Sequence, residues 1–289
     1  MRVGVVILPE LPWPQQKRLW KRAEEIGFDH AWTYDHLAWG ALRDEPWFGA
    51  VPTLAAAAVA TTGIRIGPLV TSPNFRHPVA YARELITLDD LSGGRITVGI
   101  GSGSPGWDAT ILGEPAWPPR ERAERFSEFV ALLDRLLREP AVSADGHYYR
   151  ADEARTYPGC VQQPRMPFAI AATGPRGCRL AAEFASTWVT TGPSGYRGPL
   201  IDADAGAEIV REQSARLVSA CKDVGRDPAS IDRLVLTGPS LDPGLASPDA
   251  FARVRDAYEA AGITDLVVPW PRAREPYAGD PSVLEHIDW

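Results

Sequence analysis

The chain has 289 residues, 45% of them apolar and 23% charged, a balance that builds a large soluble core and excludes a disordered or fibrous protein. Its formal charge is −7, and Lys17, Lys21 and Lys222 are the only lysines among 30 basic residues, so there is no broad basic face for nucleic acid and little scope for a catalytic Schiff-base lysine. Three cysteines without ligand-like spacing (Cys160, Cys178, Cys221) suit a reducing compartment and give no metal site, and no stretch reaches the roughly 18 apolar residues of a membrane span, so a cytoplasmic location without a membrane partner is expected.

Short β-branched runs alternate with helical patterns along the whole chain. VGVVIL (Val3 to Leu8) reads as a buried strand, and the helix after it stops at Gly27. HAWTYD (His30 to Asp35) is the second strand, followed by an alanine-rich helix ending before Gly63. IRIGPLVT (Ile64 to Thr71) precedes a helix opened by Pro78 and closed by Gly93 and Gly94. RITVGIGSG leads to a helix whose Phe126, Phe129, Val130, Leu133, Leu136 and Leu137 share one apolar face. Residues 140 to 163 form a tyrosine-containing excursion. PFAIAATG, STWVTTG, DRLVLTGP and DLVVPW are the last four strands, separated by helices over 174–185, 208–225 and 247–262, with a short final helix in PSVLEHI.

Eight β/α units in strict order predict an α/β fold, a (β/α)8 TIM barrel formed by residues 1–289 as one domain with insertions at its C-terminal face. An open doubly wound sheet would place a glycine fingerprint after the first strand, where this chain has PELPWP. In a barrel the chemistry sits on the loops after the strand C-termini, so the candidate residues are those loops' side chains.

Asp35 and His36 close the second strand. An imidazole there can exchange the proton that accompanies a hydride transfer, or the pair can simply satisfy loop backbone groups. GIGSGSPGW removes side chains where a flat ring would approach the backbone. TGPRG (Thr173 to Gly177) opens a helix, and reads either as a phosphate seat, with Arg176 adding a charge, or as an ordinary capping turn. Trp13, Trp39, Trp47, Trp107, Trp117 and Trp270 fall in or beside mouth loops and predict a mostly apolar substrate pocket. His77 and His147 read as structural.

The segments EEIGFDHAWTYDHL, IRIGPLVTSPNFRHPVAYARELITLDDLSGGRITVGIGSG, RERAERFSEF and VQQPRMPFAIAATGPRGCRLAAEFASTWV resemble, in order, the bacterial luciferase-like (LLM class) family of flavin- and deazaflavin-dependent oxidoreductases, over most of residues 1 to 190. YDH followed closely by Trp39 is most similar to the branch that uses coenzyme F-420. The resemblance implies that His36 is the acid/base group and Trp39 a catalytic pocket wall. It implies that Asp35, Leu69, Val70, Ser72, Ser102, Gly103, Thr173, Gly174, Arg176 and Gly177 bind the cofactor, with a cis Leu69–Val70 peptide against the deazaflavin. Trp13, Trp107 and Trp270 are the expected substrate-pocket residues. The function implied is hydride transfer between F-420 and a mostly apolar organic substrate, by a homodimer. The alternatives are an FMN-dependent monooxygenase of the same family, using reduced flavin and oxygen, and a non-catalytic flavin-binding protein. One departure is visible: Ser104 stands where the F-420-dependent glucose-6-phosphate dehydrogenases carry a catalytic glutamate, and their phosphate-binding lysines have no counterpart here.

Overall fold

The computed structural model describes residues 1–287. Eight parallel strands form the central sheet: β1 (Arg2–Val6), β2 (His30–Thr33), β3 (Arg65–Pro68), β4 (Val98–Gly101), β7 (Phe168–Ala171), β8 (Thr187–Thr190), β9 (Asp232–Leu236) and β10 (Asp265–Pro269). They are ordered β3-β2-β1-β10-β9-β8-β7-β4. Parallel bridges Ile66↔Ile96 and Thr71↔Ile100 join the two ends of that order, closing the barrel. Each strand begins within three residues of its expected start.

Helices α1 (Trp13–Ile26), α2 (Ala50–Ala60), α3 (Pro78–Ser92), α4 (Pro119–Arg138), α5 (Pro175–Phe184), α6 (Ala203–Asp223) and α7 (Pro248–Ala260) follow successive barrel strands and ring the sheet. Gly27, at φ 103°, ends α1 in the left-handed conformation and returns its N–H to the Ala23 and Glu24 carbonyls. The apolar face expected on α4 is buried in full, from Phe126 to Leu137, and each such side chain contributes about 1.5–3 kcal/mol of transfer free energy. α6 starts five residues before its apolar pattern, because the Asp202 carboxylate accepts from Ala205 N at 2.9 Å and caps a polar first turn. The excursion after α4 is an antiparallel hairpin, β5 (Ala141–Asp145) with β6 (Arg150–Arg155). Its strands are largely exposed, so no apolar alternation marks them in the sequence. The final helix is a 3-10 turn, Pro281–Glu285.

Alternation along the strands divides the core in two. Val3, Val5, Ile66, Val98, Ile100, Phe168, Ile170, Trp188, Val235, Leu266 and Val268 face the helices. Val6, Trp32, Leu69, Ala169, Val189, Leu234, Leu236 and Val267 fill the barrel. At the N-terminal end of the strands the interior is polar and fully paired. Trp32 Nε1 donates to His30 Nδ1 at 2.7 Å, His30 Nε2 donates to Asp265 Oδ1 at 3.1 Å, and Arg2 grips Asp265 through two bonds of 2.7 Å. Glycine makes room for this layer: a Cβ on Gly4 would lie 1.8 Å from His30 Nδ1. This layer plugs the barrel at the N-terminal end of its strands.

Candidate active site

A cavity of about 1020 Å³ lies at the C-terminal end of the strands, at the upper limit of the usual range for small-molecule sites. The loops after β2, β3, β4, β7, β8 and β9 all contribute to its wall, and α4 adds Arg120 and Phe126.

The loop after β2 brings Tyr34, His36 and Trp39 to the cavity. His36 Nδ1 is hydrogen-bonded to Asp108 Oδ2, while Asp108 Oδ1 accepts from Leu37 N at 2.7 Å and Ala38 N at 2.9 Å. One buried carboxylate thus holds both the ring and the backbone beside it, leaving Nε2 as the ring nitrogen with no such partner. Trp47 lies behind the wall and donates from Nε1 to the His36 carbonyl at 2.8 Å. Trp39 packs edge-on to Tyr34 with centroids 5.1 Å apart and stacks on Tyr277 at 6.0 Å. The Tyr34 and Tyr277 hydroxyls pair at 2.9 Å, and burial pushes the Tyr277 phenol up to about 12 and Tyr34 well above its ordinary range, so both stay protonated near neutrality.

The loop after β3 carries a cis peptide between Leu69 and Val70, as the resemblance implied. Both residues line the cavity, with Ser72, Gly101, Ser102 and Gly103. A Cβ on Gly101 would meet Val70 Cγ2 at 2.6 Å, so glycine leaves a bare strip of backbone beside the cis peptide. Gly103 is left-handed at φ 73°, and the adjacent Asn74 donates from Nδ2 to the Ser104 carbonyl at 3.2 Å, tying the loops after β3 and β4 together. Ser104 lies on the cavity wall.

The loop after β7 contributes Thr173, Gly174, Arg176 and Gly177. Gly174 is the N-cap of α5 and has no side chain to satisfy the first turn, whose N–H groups lack intrahelical acceptors. Pro175 has no N–H, so Arg176 and Gly177 present theirs at the helix's positive end, toward the cavity. Arg120, at the start of α4, adds a second guanidinium.

Four expected residues lie elsewhere. Asp35 is 2% exposed and absent from the cavity wall; both its oxygens are taken by Arg76, at 2.7 and 2.8 Å. It therefore clamps the loop after β3 from behind the cavity wall. Trp13 begins α1 with its side chain partly in solvent. Trp107 lies under the Arg43 guanidinium, 3.6 Å from its ring centroid. Trp270 is buried beside β10, with its backbone N–H donating to the Val6 carbonyl at 2.8 Å. Loop membership places a tryptophan near a mouth but does not tell which way its ring turns, and Trp39 alone of the six lines the cavity. Trp117 packs under Arg125 instead. Conversely, Tyr34, Asn74, Asp108, Arg120 and Tyr277 were not singled out in the sequence. Asp108 sits just beyond the glycine-rich stretch, and its bond spans 72 residues, so only the fold brings it to His36.

The chain is similar to several known proteins. An F-420-dependent glucose-6-phosphate dehydrogenase of Nakamurella multipartita is 30% identical over 285 residues, 92% of this chain and 79% of that enzyme. Another, of Beutenbergia cavernae, is 36% identical over 184 residues, 60% of this chain, and the match spans about half (51%) of that enzyme's length. An F-420-dependent hydroxymycolic acid dehydrogenase of Mycobacterium tuberculosis is 29% identical over 84% of this chain and 60% of its own. The fold is shared with the F-420-dependent tetrahydromethanopterin reductase of Methanopyrus kandleri (TM-score 0.77, 21% identity, 98% of this chain and 96% of that one). It is also shared with an F-420-dependent secondary alcohol dehydrogenase solved with an F-420–acetone adduct (TM-score 0.81, 18% identity, 98% and 96%). A family model described as luciferase-like monooxygenase matches residues 1–263, and with so much of the sequence matched the chain belongs to the luciferase-like monooxygenase family.

Proposed function

We propose that this protein is an oxidoreductase that moves a hydride between coenzyme F-420 and an uncharged, mostly apolar organic substrate. The observation that carries the reading is one cavity in which a bare glycine strip beside the Leu69–Val70 peptide, an imidazole and an uncapped helix N-terminus converge. A flat ring system fits the strip, where any side chain on Gly101 would intrude. A phosphate fits the amides of Arg176 and Gly177 and the Arg176 guanidinium. Leu69, Val70, Ser72, Ser102 and Gly103 would hold the ring, and Thr173, Gly174, Arg176 and Gly177 the phosphate. When bound, F-420 supplies a carbon-centred hydride acceptor or donor that does not form the oxygen adduct of a flavin. His36 takes or returns the substrate proton through Nε2, and Trp39 and Tyr34 exclude water from the reacting end.

The substrate class follows from charge. The cavity's cationic side chains, among the described residues, are Arg120 and Arg176, both on the side of the proposed phosphate seat. The wall around His36 is Tyr34, Trp39 and the Tyr277 behind them. With Ser104 in place of a glutamate, this end suits a neutral alcohol, ketone or unsaturated compound and not a phosphorylated sugar. The same reading has the chain acting as a homodimer in the cytoplasm, and light scattering of the purified protein tests the dimer.

The test is anaerobic turnover of F-420, oxidised and reduced, against neutral secondary alcohols, ketones and enones beside glucose 6-phosphate. Turnover with a neutral compound and none with the sugar phosphate is expected. Efficient oxidation of glucose 6-phosphate would overturn the substrate class, and oxygen-dependent turnover with reduced FMN would overturn the coenzyme.

A further inference from the structure

We propose that Asp108 is a positioning residue for His36: it fixes the imidazole in the tautomer whose Nε2 is unprotonated, and so presents a proton acceptor to the cavity. The inference rests on the reading of His36 as the group that exchanges the substrate proton. Oδ1 of Asp108 is occupied by the Leu37 and Ala38 amides, and Oδ2 is the oxygen that meets Nδ1. A carboxylate accepts hydrogen bonds, so the ring nitrogen facing it carries the hydrogen. Asp108 and His36 both line the cavity, but the Asp108 side chain is 6% exposed and that of His36 28%, so the imidazole is the more open of the two groups. The aromatic neighbours of the imidazole, Tyr34 and Trp47, have centroids 6.1 and 6.5 Å away and restrict its rotation.

The loop after β4 thus provides a carboxylate even though Ser104 replaces the expected glutamate: four residues on, Asp108 acts through the imidazole, its two oxygens being engaged by the ring and by the Leu37 and Ala38 amides. In alcohol oxidation the O–H bond would give its proton to Nε2 as a C=O bond forms, the C–H electron pair leaving as hydride to the acceptor that bound F-420 would supply. The imidazolium so produced lies against the Asp108 carboxylate, which stabilises it without itself taking the proton.

The decisive variant is Asp108→Asn. Its carbonyl can keep the Leu37 and Ala38 bonds, while its amide turns an N–H toward Nδ1 and forces the opposite tautomer. Imidazole ¹⁵N spectra of the cofactor-free protein, taken where the ring is neutral and with His36→Gln to assign the signal among five histidines, read this directly. We expect Nδ1–H in the wild type and Nε2–H in Asp108→Asn, with kcat for a neutral alcohol falling roughly 10²–10⁴-fold and the F-420 dissociation constant unchanged. Nε2–H in the wild type overturns the proposal, as does wild-type kcat in Asp108→Asn. Absence of F-420 binding would overturn the coenzyme assignment alone, because the two tautomer measurements decide the positioning role with or without it.

Discussion

At His36 and Asp35, two neighbours in the chain, the strand end sorts adjacent side chains into different jobs. His36 faces the cavity, whereas Asp35 is buried under Arg76, so the variants should fail differently. His36→Ala is expected to bind F-420 almost normally and to lose roughly 10²–10⁴-fold in single-turnover rate, the usual contribution of a positioned acid or base. A wild-type rate would remove His36 from the chemistry. Asp35→Ala leaves a largely buried guanidinium with the more exposed Glu84 as its remaining carboxylate partner and should cost roughly 2–4 kcal/mol in thermal or urea unfolding. Unchanged stability with lost coenzyme affinity would instead return Asp35 to the cofactor. The sequence made both residues visible because they end a strand in a barrel. It could not separate them, since the partner that decides, Arg76 for one and Asp108 for the other, comes from a different loop.

The elements that matter most are β4 and α5. Glycine on β4 is a steric requirement: with a would-be Cβ 2.6 Å from Val70 Cγ2, Gly101→Val should narrow the slot and weaken F-420 at least as much as it weakens folding. Equal affinity by fluorescence titration would show that the ring lies elsewhere. At α5, Arg176→Gln should weaken F-420 and make the remaining affinity less sensitive to salt, while a deazaflavin lacking the phosphate binds wild type and variant alike. A matching loss for the phosphate-free compound would place Arg176 against the ring. Periodicity made these elements legible, and it failed where the periodicity itself was weak. The exposed β5–β6 hairpin has no buried face to pattern, and the first turn of α6 is polar because its cap, not its packing, holds it.

Across the whole molecule the barrel has two ends with opposite tasks, a paired polar plug and an open cavity. Burial alone would raise the Asp265 carboxyl, but hydrogen bonds from His30 and Arg2 outweigh it and hold the group at about 2. Its folded value is therefore depressed below the ordinary carboxylate range, so its contribution, about 2 kcal/mol, is present above pH ~4 and lost as pH falls toward 2. Asp265→Asn should flatten that part of the stability-versus-pH curve in urea unfolding; an unchanged slope would mean that the plug is not what acid disrupts. The eightfold alternation made the barrel readable from the sequence. The plug was not readable, because its partners Arg2, His30 and Asp265 are brought together by strands from both ends of the chain. The central claim concerns the other end, and the most direct test is a titration of the purified protein with F-420 and with FMN, followed by fluorescence. Saturable binding of F-420, with FMN binding at least about tenfold weaker or not at all (about 1.4 kcal/mol), is the expected result; saturable FMN binding without F-420 binding would contradict it.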